Sequence, residues 1–241
     1  MLYQTALLTF DSRVSAPEGI VYSTSPHTAE GIDGITYFVK GPQPEVVFAE
    51  IAGCLLAREV GILVPDVAVC TFGELIYCGS AKVADSVRNV APWLSRPHKI
   101  RNFIDLYDVI VVDAWLANDD RNMGNVLVRP FHGSDVEVIM IDFEKSRTLR
   151  PNPLMGSANV EARRLWPTGD LGQALRQQKG QVATLSAVGR IGQMSRQRCA
   201  DIIAEVVEKF GVVDWAENSI DAVSRRAGRI AEIVGEIWTQ N

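Results

Sequence analysis

The chain has 241 residues, 47% of them hydrophobic, and a formal net charge of −5. That length supports one large domain or two small lobes sharing a core, and the acidic balance argues against a dedicated nucleic-acid binder, which carries a basic surplus or stripe. No stretch is long and apolar enough to span a bilayer, and MLYQTALLTF has neither a basic leader nor a cleavable apolar core, so the expectation is a cytoplasmic protein with no membrane or direct nucleic-acid partner.

The first forty residues read as short strands and turns. LYQTALLTF mixes apolar and polar residues and is expected at a sheet edge. EGIVYSTS follows as a short strand, PHTAEGIDG as a loop, and ITYFVKG as a strand rich in β-branched and aromatic residues. In EVVFAEIAGCLLAREVG, Val46, Ile51, Leu55 and Val60 recur at helical spacing, with Phe48, Ala52 and Leu56 beside them. Gly61 is the expected stop. ILVPDVAVCTF, interrupted by Pro65, and ELIYCG complete the strands of this part.

After Gly79 the character changes. VADSVRNVAPWL is helical in part, and NFIDLYDVIVVDAWLAN is a strongly apolar helix. NVLVRP and VEVIMIDFEKS form a two-stranded hairpin joined through His132–Asp135. From about Pro151 the pattern is mostly helical, in DLGQALRQQ, QVATLSAVGRIGQ, QRCADIIAEVVEKFG and SIDAVSRRAGRIAEIVGEIWTQ. The cysteines Cys54, Cys70, Cys78 and Cys199 form no CxxC pair and His27, His98 and His132 are scattered, which points to buried free thiols in a reducing compartment and away from zinc.

Between the apolar helix and the hairpin lies LANDDRNMGNVLV, residues 116–128, with more polarity than a turn requires. Phosphoryl transfer needs such a set: a carboxylate for the attacking hydroxyl, oxygen ligands for magnesium, and a cation for the nucleotide phosphates. Asp120 and Asn125 stand five positions apart around Gly124, so one can face an acceptor while the other turns to a metal. Asp142, after the apolar VIMI, supplies a charged ligand from the partner strand. Lys40 ends the strand ITYFVK and Glu50 lies within the next helix, a spacing that lets a glutamate hold a phosphate-binding lysine. Blander readings accompany each: a capped polar loop for Asp120 and Asn125, a solvated strand end for Lys40, an exposed helix face for Glu50. Asp119 competes with Asp120 for the role of base, and dipole stabilisation accounts for Glu45 at the helix start. Arg121 supports the loop or pairs with Asp119. Trp115, Trp166, Trp215 and Trp238 read as core or interhelix residues, and the pairs Arg163–Arg164 and Arg225–Arg226 as solvated faces.

The order Lys, helix Glu, Asp-x4-Asn and strand-Asp-Phe resembles that of HipA-like kinases, a compact branch of the protein-kinase-like superfamily, related in motif to the phosphatidylinositol 3- and 4-kinases with their DRHxxN loop. DRNMGN takes that loop's position and IDFEKS that of the DFG-type motif, while YFVKG and EVVFAEIAGCLLAREVGILVP resemble the lysine strand and glutamate helix. The likeness covers roughly residues 20–150. It implies an α+β, two-lobed fold: a small, mostly β N-lobe with one helix (1–79) and a mainly helical C-lobe (80–241). It further implies Asp120 as catalytic base, Asn125 and Asp142 as magnesium ligands, and Lys40, positioned by Glu50, on the phosphates of ATP. Glu74–Ser80, with Leu75 and Tyr77, would be the interlobe hinge meeting adenine. No GxGxxG is present, and Gly31 and Gly34 are the candidates for a phosphate-covering loop. Asn122 stands where relatives carry His, and Glu144 where the motif has Gly.

The function implied is ATP- and magnesium-dependent transfer of the γ-phosphate to a hydroxyl, foremost a protein Ser or Thr. Self-phosphorylation at Thr24, Ser25 or Thr28 and an antitoxin-like or regulatory protein partner are part of that expectation. The alternatives are a pseudokinase or regulatory binding module on the same fold, and a small-molecule kinase.

Overall fold

The structure is a computed structural model and describes residues 2–10, 27–155, 170–176, 185–211 and 213–239. Along Tyr3–Phe10 (β1), Thr5 and Leu7 turn inward while their neighbours are exposed, the period of two expected of a strand with one covered face. β1 pairs antiparallel with His27–Gly31 (β2), and β2 with Thr36–Lys40 (β3). Val67–Phe72 (β4) and Leu75–Ala81 (β5) make a tight hairpin, with β5 against β3. Parallel pairing of β1 with β4 then closes the five strands into a barrel, ordered β1, β2, β3, β5, β4. Leu7, Ala29, Tyr37, Val39, Ala68, Cys70 and Tyr77 fill it.

Two sequence expectations change here. LYQTALLTF is no edge strand, because β4 takes its second side. Residues 27–31 are strand and not loop. A Cβ on Gly31 would lie 2.9 Å from Thr5 Oγ1 and 3.1 Å from the Tyr37 ring, so the missing side chain makes room inside the barrel. EGIVYSTS falls outside the described residues.

Pro44–Glu59 (α1) begins with Pro44, whose missing N–H has no intrahelical partner to lose at that position, and ends before Gly61 at φ +88°. Val47 to Ala57 are buried without interruption, so this helix is covered on every side. After the barrel come Val87–Arg88 (β6), Ala91–Leu94 (α2) and Asp105–Leu116 (α3). Val126–Pro130 (β7) and Val136–Met140 (β8) form the expected hairpin, and β6 adds to β7 as a third antiparallel strand. Most of VADSVRNVAPWL is therefore not helical: Val87 and Arg88 are held by Val128 and Leu127. The remaining helices are Asp170–Arg176 (α4), Leu185–Gly192 (α5), Arg196–Phe210 (α6), Ala216–Gly228 (α7) and Ile230–Thr239 (α8). The single helical run read from Ser219 onward breaks at Arg229, just after the weak helix former Gly228.

One apolar core joins these elements. Phe48 of α1 meets Phe210 and Trp215 at ring-centroid distances of 6.5 and 5.9 Å. Trp115 Nε1 donates to the Val223 carbonyl at 2.8 Å, while Arg226 Nε donates to the Trp115 carbonyl at 2.8 Å and a second Arg226 nitrogen donates to that of Ala114. Arg226 is thus buried, contrary to the solvated face expected of its pair, whereas Arg225 is exposed. Its guanidinium satisfies carbonyls that the end of α3 leaves without helical partners. Arg163, Arg164, Trp166 and the Trp238 side chain lie outside the described residues. All four cysteines are buried free thiols, and no helix among the described residues is long and apolar enough to cross a membrane.

Candidate active site

Lys40 is the last residue of β3, where pairing with Cys78 fixes its backbone. Its ammonium lies 2.8 Å from Asp142 Oδ1, 3.4 Å from Glu50 Oε2 and 3.3 Å from Glu144 Oε2. Glu50 projects from the middle of α1 and is 1% exposed, so it is no surface glutamate. The same Oε2 accepts the Phe143 backbone N–H at 2.7 Å, linking α1 to the segment after β8. Gly53, one turn along, allows the closest approach: a Cβ there would sit 2.5 Å from Phe143 Cβ.

Asp142 has φ 73°, a left-handed conformation uncommon for a residue with a side chain, held by its surroundings. Asn118 Nδ2 donates to its carbonyl at 3.3 Å, Arg121 donates to the carbonyl of Ile141, and Glu50 takes the next N–H. Behind these stands Asp113 near the end of α3. It accepts Arg121 Nε at 2.8 Å and the second guanidinium nitrogen at 3.0 Å, and Asn118 Nδ2 at 2.8 Å. Arg121 also donates to the Asn125 carbonyl at 3.1 Å and lies 4.8 Å over the Phe143 ring. This buried arginine therefore supports the loop as expected, paired with Asp113 and not with Asp119, which is exposed.

Within the loop, Asn125 Nδ2 donates to the Asp120 carbonyl at 2.7 Å, as does Asn122 Nδ2 at 3.1 Å, while Asn122 Oδ1 accepts the Gly124 N–H at 2.8 Å. Asn122 thus holds the turn by its own amide. These bonds leave Asn125 Oδ1, Asp142 Oδ2 and both Asp120 carboxylate oxygens without hydrogen-bond donors among the described residues. An amide oxygen and a carboxylate oxygen with uncommitted lone pairs are the donor chemistry magnesium takes, so Asn125 and Asp142 fit that ion. Glu50, Asp142 and Glu144 also bring ligand oxygens within 4.8 Å of one another, but Lys40 contacts all three.

The charges are set by this crowding. Burial alone would push the Asp142 carboxyl up, but the Lys40 ammonium, with Arg121 and Arg88 beyond it, holds it below its ordinary value. Burial raises Glu50 despite Lys40. Asp120 is raised by burial, by Asp142 and by Glu144, with the Lys145 ammonium opposing. Burial disfavours the Lys40 charge, yet the three carboxylates hold its pKa well above the usual lysine value.

Other predicted residues do not join this cluster. Gly31 and Gly34 belong to the β2–β3 turn end, whereas Lys40 is at the opposite end of β3, opposite the start of β2. That end is approached by Phe10 and His27, and the segment connecting them, which includes Thr24 and Ser25, lies outside the described residues. Residues 75–80 are strand β5 and not a connection out of the barrel. Leu75 is exposed because it sits at the β4–β5 turn, paired with Phe72, whereas Tyr77 lies further along the strand and packs inside the barrel. The chain leaves the barrel after Ala81. There Val83 meets an apolar cluster of Leu127, Ile139 and Ile141, with Leu63 beside it. Sequence reading missed this cluster, Glu144, Asp113 and Asn118. The signal for Glu144 was present, as a charge placed two residues after Asp142.

No family model and no curated protein matches the chain. Solved structures are. A Helicobacter pylori proinflammatory kinase, CtkA, matches with a TM-score of 0.59 at 15% identity, over 96% of this chain and 99% of that one. A chain of the Shewanella oneidensis MR-1 toxin–antitoxin complex of HipA, HipB and operator DNA matches with a TM-score of 0.52 at 13% identity, over 93% and 67%.

Proposed function

These likenesses give the chain a protein-kinase-like fold, and from that premise we propose that it is a HipA-like kinase. It transfers the γ-phosphoryl group of ATP to a hydroxyl, foremost that of a protein Ser or Thr, in the reducing cytosol. The observation that carries the reading is the convergence of Glu50 and Asp142, 10 and 102 positions away in sequence, onto the Lys40 ammonium with contacts of 3.4 and 2.8 Å. The proposed division is an N-lobe of residues 1–79 and a C-lobe of 80–241, with ATP between them. The adenine rests on Leu127 and Ile141 beside Val83, in place of the Leu75–Tyr77 hinge expected earlier.

In this reading Lys40 holds the α- and β-phosphates, and Glu50 fixes its position. Asn125 Oδ1 and Asp142 Oδ2 hold magnesium, which when bound neutralises phosphate charge. Asp120 orients the acceptor hydroxyl. The acceptor oxygen bonds to the γ-phosphorus as the bond to the β–γ bridging oxygen breaks. The electron pair leaves on ADP, and the hydroxyl proton passes to the Asp120 carboxylate. A raised Asp120 makes that carboxylate a better proton acceptor than a free aspartate. Of the hydroxyls considered for self-phosphorylation, Thr28 is paired within β2. An antitoxin-like protein partner belongs to the same proposal.

Transfer of labelled γ-phosphate with magnesium tests this, comparing wild type with Asp120→Ala and Asp142→Ala. Loss of base or ligand is expected to slow transfer by about 10²-fold or more. Labelling equal in all three proteins would remove the assigned site. ATP binding without transfer to protein or small acceptors would make the chain a regulatory module.

A further inference from the structure

The loop Asp120–Asn125 contains one cation, Arg121, and it is spent: Asp113, the Asn125 carbonyl and the Ile141 carbonyl occupy its guanidinium. Lys40 is held against three carboxylates on the barrel side. A transferring phosphoryl group spreads negative charge over three equatorial oxygens and needs a cation on the side of the base.

Lys145 stands there. Glu144, with 0% of its side chain exposed, turns Oε2 to Lys40 at 3.3 Å and Oε1 to Lys145 at 3.8 Å, so one buried carboxylate spaces the two ammonium groups. The Glu144 backbone is itself tied, its carbonyl accepting Arg150 Nε at 3.1 Å. At 3.8 Å the Lys145 contact is an ion pair and not a hydrogen bond, and no other partner holds this lysine among the described residues. Its three donors are therefore unspent. Its side chain is 40% exposed, open on one side and anchored on the other, and its charge acts on the Asp120 carboxylate.

We propose that Lys145 is a second phosphate-binding cation, positioned by Glu144 to meet the γ-phosphoryl group during transfer. A lysine suits this task because it is a compact point charge that can follow a moving group. It gains and loses no proton in the step: the acceptor proton goes to Asp120 and the electron pair to ADP. Glu144 is a positioning residue, and its place in the sequence where the related motif has Gly becomes intelligible as the holder of two lysines. This inference rests on the kinase reading above.

The test measures nucleotide affinity by calorimetry with magnesium, and phosphate transfer, for wild type, Lys145→Ala and Lys145→Arg. A γ-phosphoryl contact touches ATP and not ADP. Lys145→Ala is expected to reduce the preference for ATP over ADP by about tenfold or more. Its transfer rate should fall by roughly 10²-fold. Lys145→Arg should recover part of both. Active wild type with unchanged Lys145→Ala kinetics, or with equal loss of ATP and ADP binding, would overturn the role of Lys145 and leave the kinase reading intact. Wild type that neither binds nor turns over ATP would overturn both.

Discussion

Lys40 offsets three buried carboxylates, so removing it does more than remove a phosphate contact. Lys40→Met leaves Glu50, Asp142 and Glu144 facing one another without their cation, and breaking such a buried set costs about 3–5 kcal/mol. A thermal melt should show a large loss of stability alongside lost activity, and Lys40→Arg should restore the former better than the latter. Asp120 has the opposite sign. Its raised pKa means that the folded state disfavours the ionised form. Asp120→Asn is therefore expected to be inactive yet slightly more stable at neutral pH, by about 0.5 kcal/mol after solvent screening. That gain should shrink as pH falls through the Asp120 range, because the wild-type carboxyl then becomes neutral too. A variant less stable than wild type at pH 7 would contradict the burial account. At this scale the sequence pointed to Lys40, Glu50 and Asp142, charges set in or at the end of apolar runs, and to Asp120 and Asn125, polar beyond the needs of a turn. It was silent on Asp113 and Asn118, whose importance comes from pairing with Arg121 and with a carbonyl 24 positions away.

Elements tell a similar story. α1 was legible because an apolar run of its length between Pro44 and Gly61 has few alternatives, and the β7–β8 hairpin because two apolar strands flank a short polar link. The parallel pairing of β1 with β4 was not, since nothing local in either strand encodes a partner 65 residues away. The same blindness led Leu75 and Tyr77 to be read as a hinge when register makes them barrel wall and filling. Packing between α1 and the segment after β8 can be tested at Gly53. Helix propensity alone predicts that Gly53→Ala stabilises by about 1 kcal/mol. Contact at 2.5 Å with Phe143 Cβ, an atom tied to the backbone, predicts the reverse. We expect a loss of roughly 1–3 kcal/mol by denaturant titration, with weakened ATP binding as Phe143 shifts. At α3, Arg226→Met should cost about 2 kcal/mol or more, since it leaves the Trp115 and Ala114 carbonyls without donors.

For the whole molecule, the proposed nucleotide and metal would act together on the carboxylates around Lys40. Magnesium with ATP at a hundredfold excess over its dissociation constant is expected to stabilise the fold by about 2.7 kcal/mol. ATP with chelator should give less, because Asp120, Asp142 and Glu144 then face the phosphates without a divalent cation between them. Equal melting shifts in both conditions would argue against Asn125 and Asp142 as ligands.

Closure of the five-stranded barrel reaches further than nucleotide binding. Each of its five strands pairs with two neighbours, so among the described residues the barrel has no strand that is an edge along its whole length. Closure disfavours extension of this sheet by a donated strand, and it disfavours stacking of copies through it into fibres. A regulator that grips this half of the molecule would read chiefly side chains, and its specificity can change by substitution on the barrel's outer face while the strand ladder beneath stays intact.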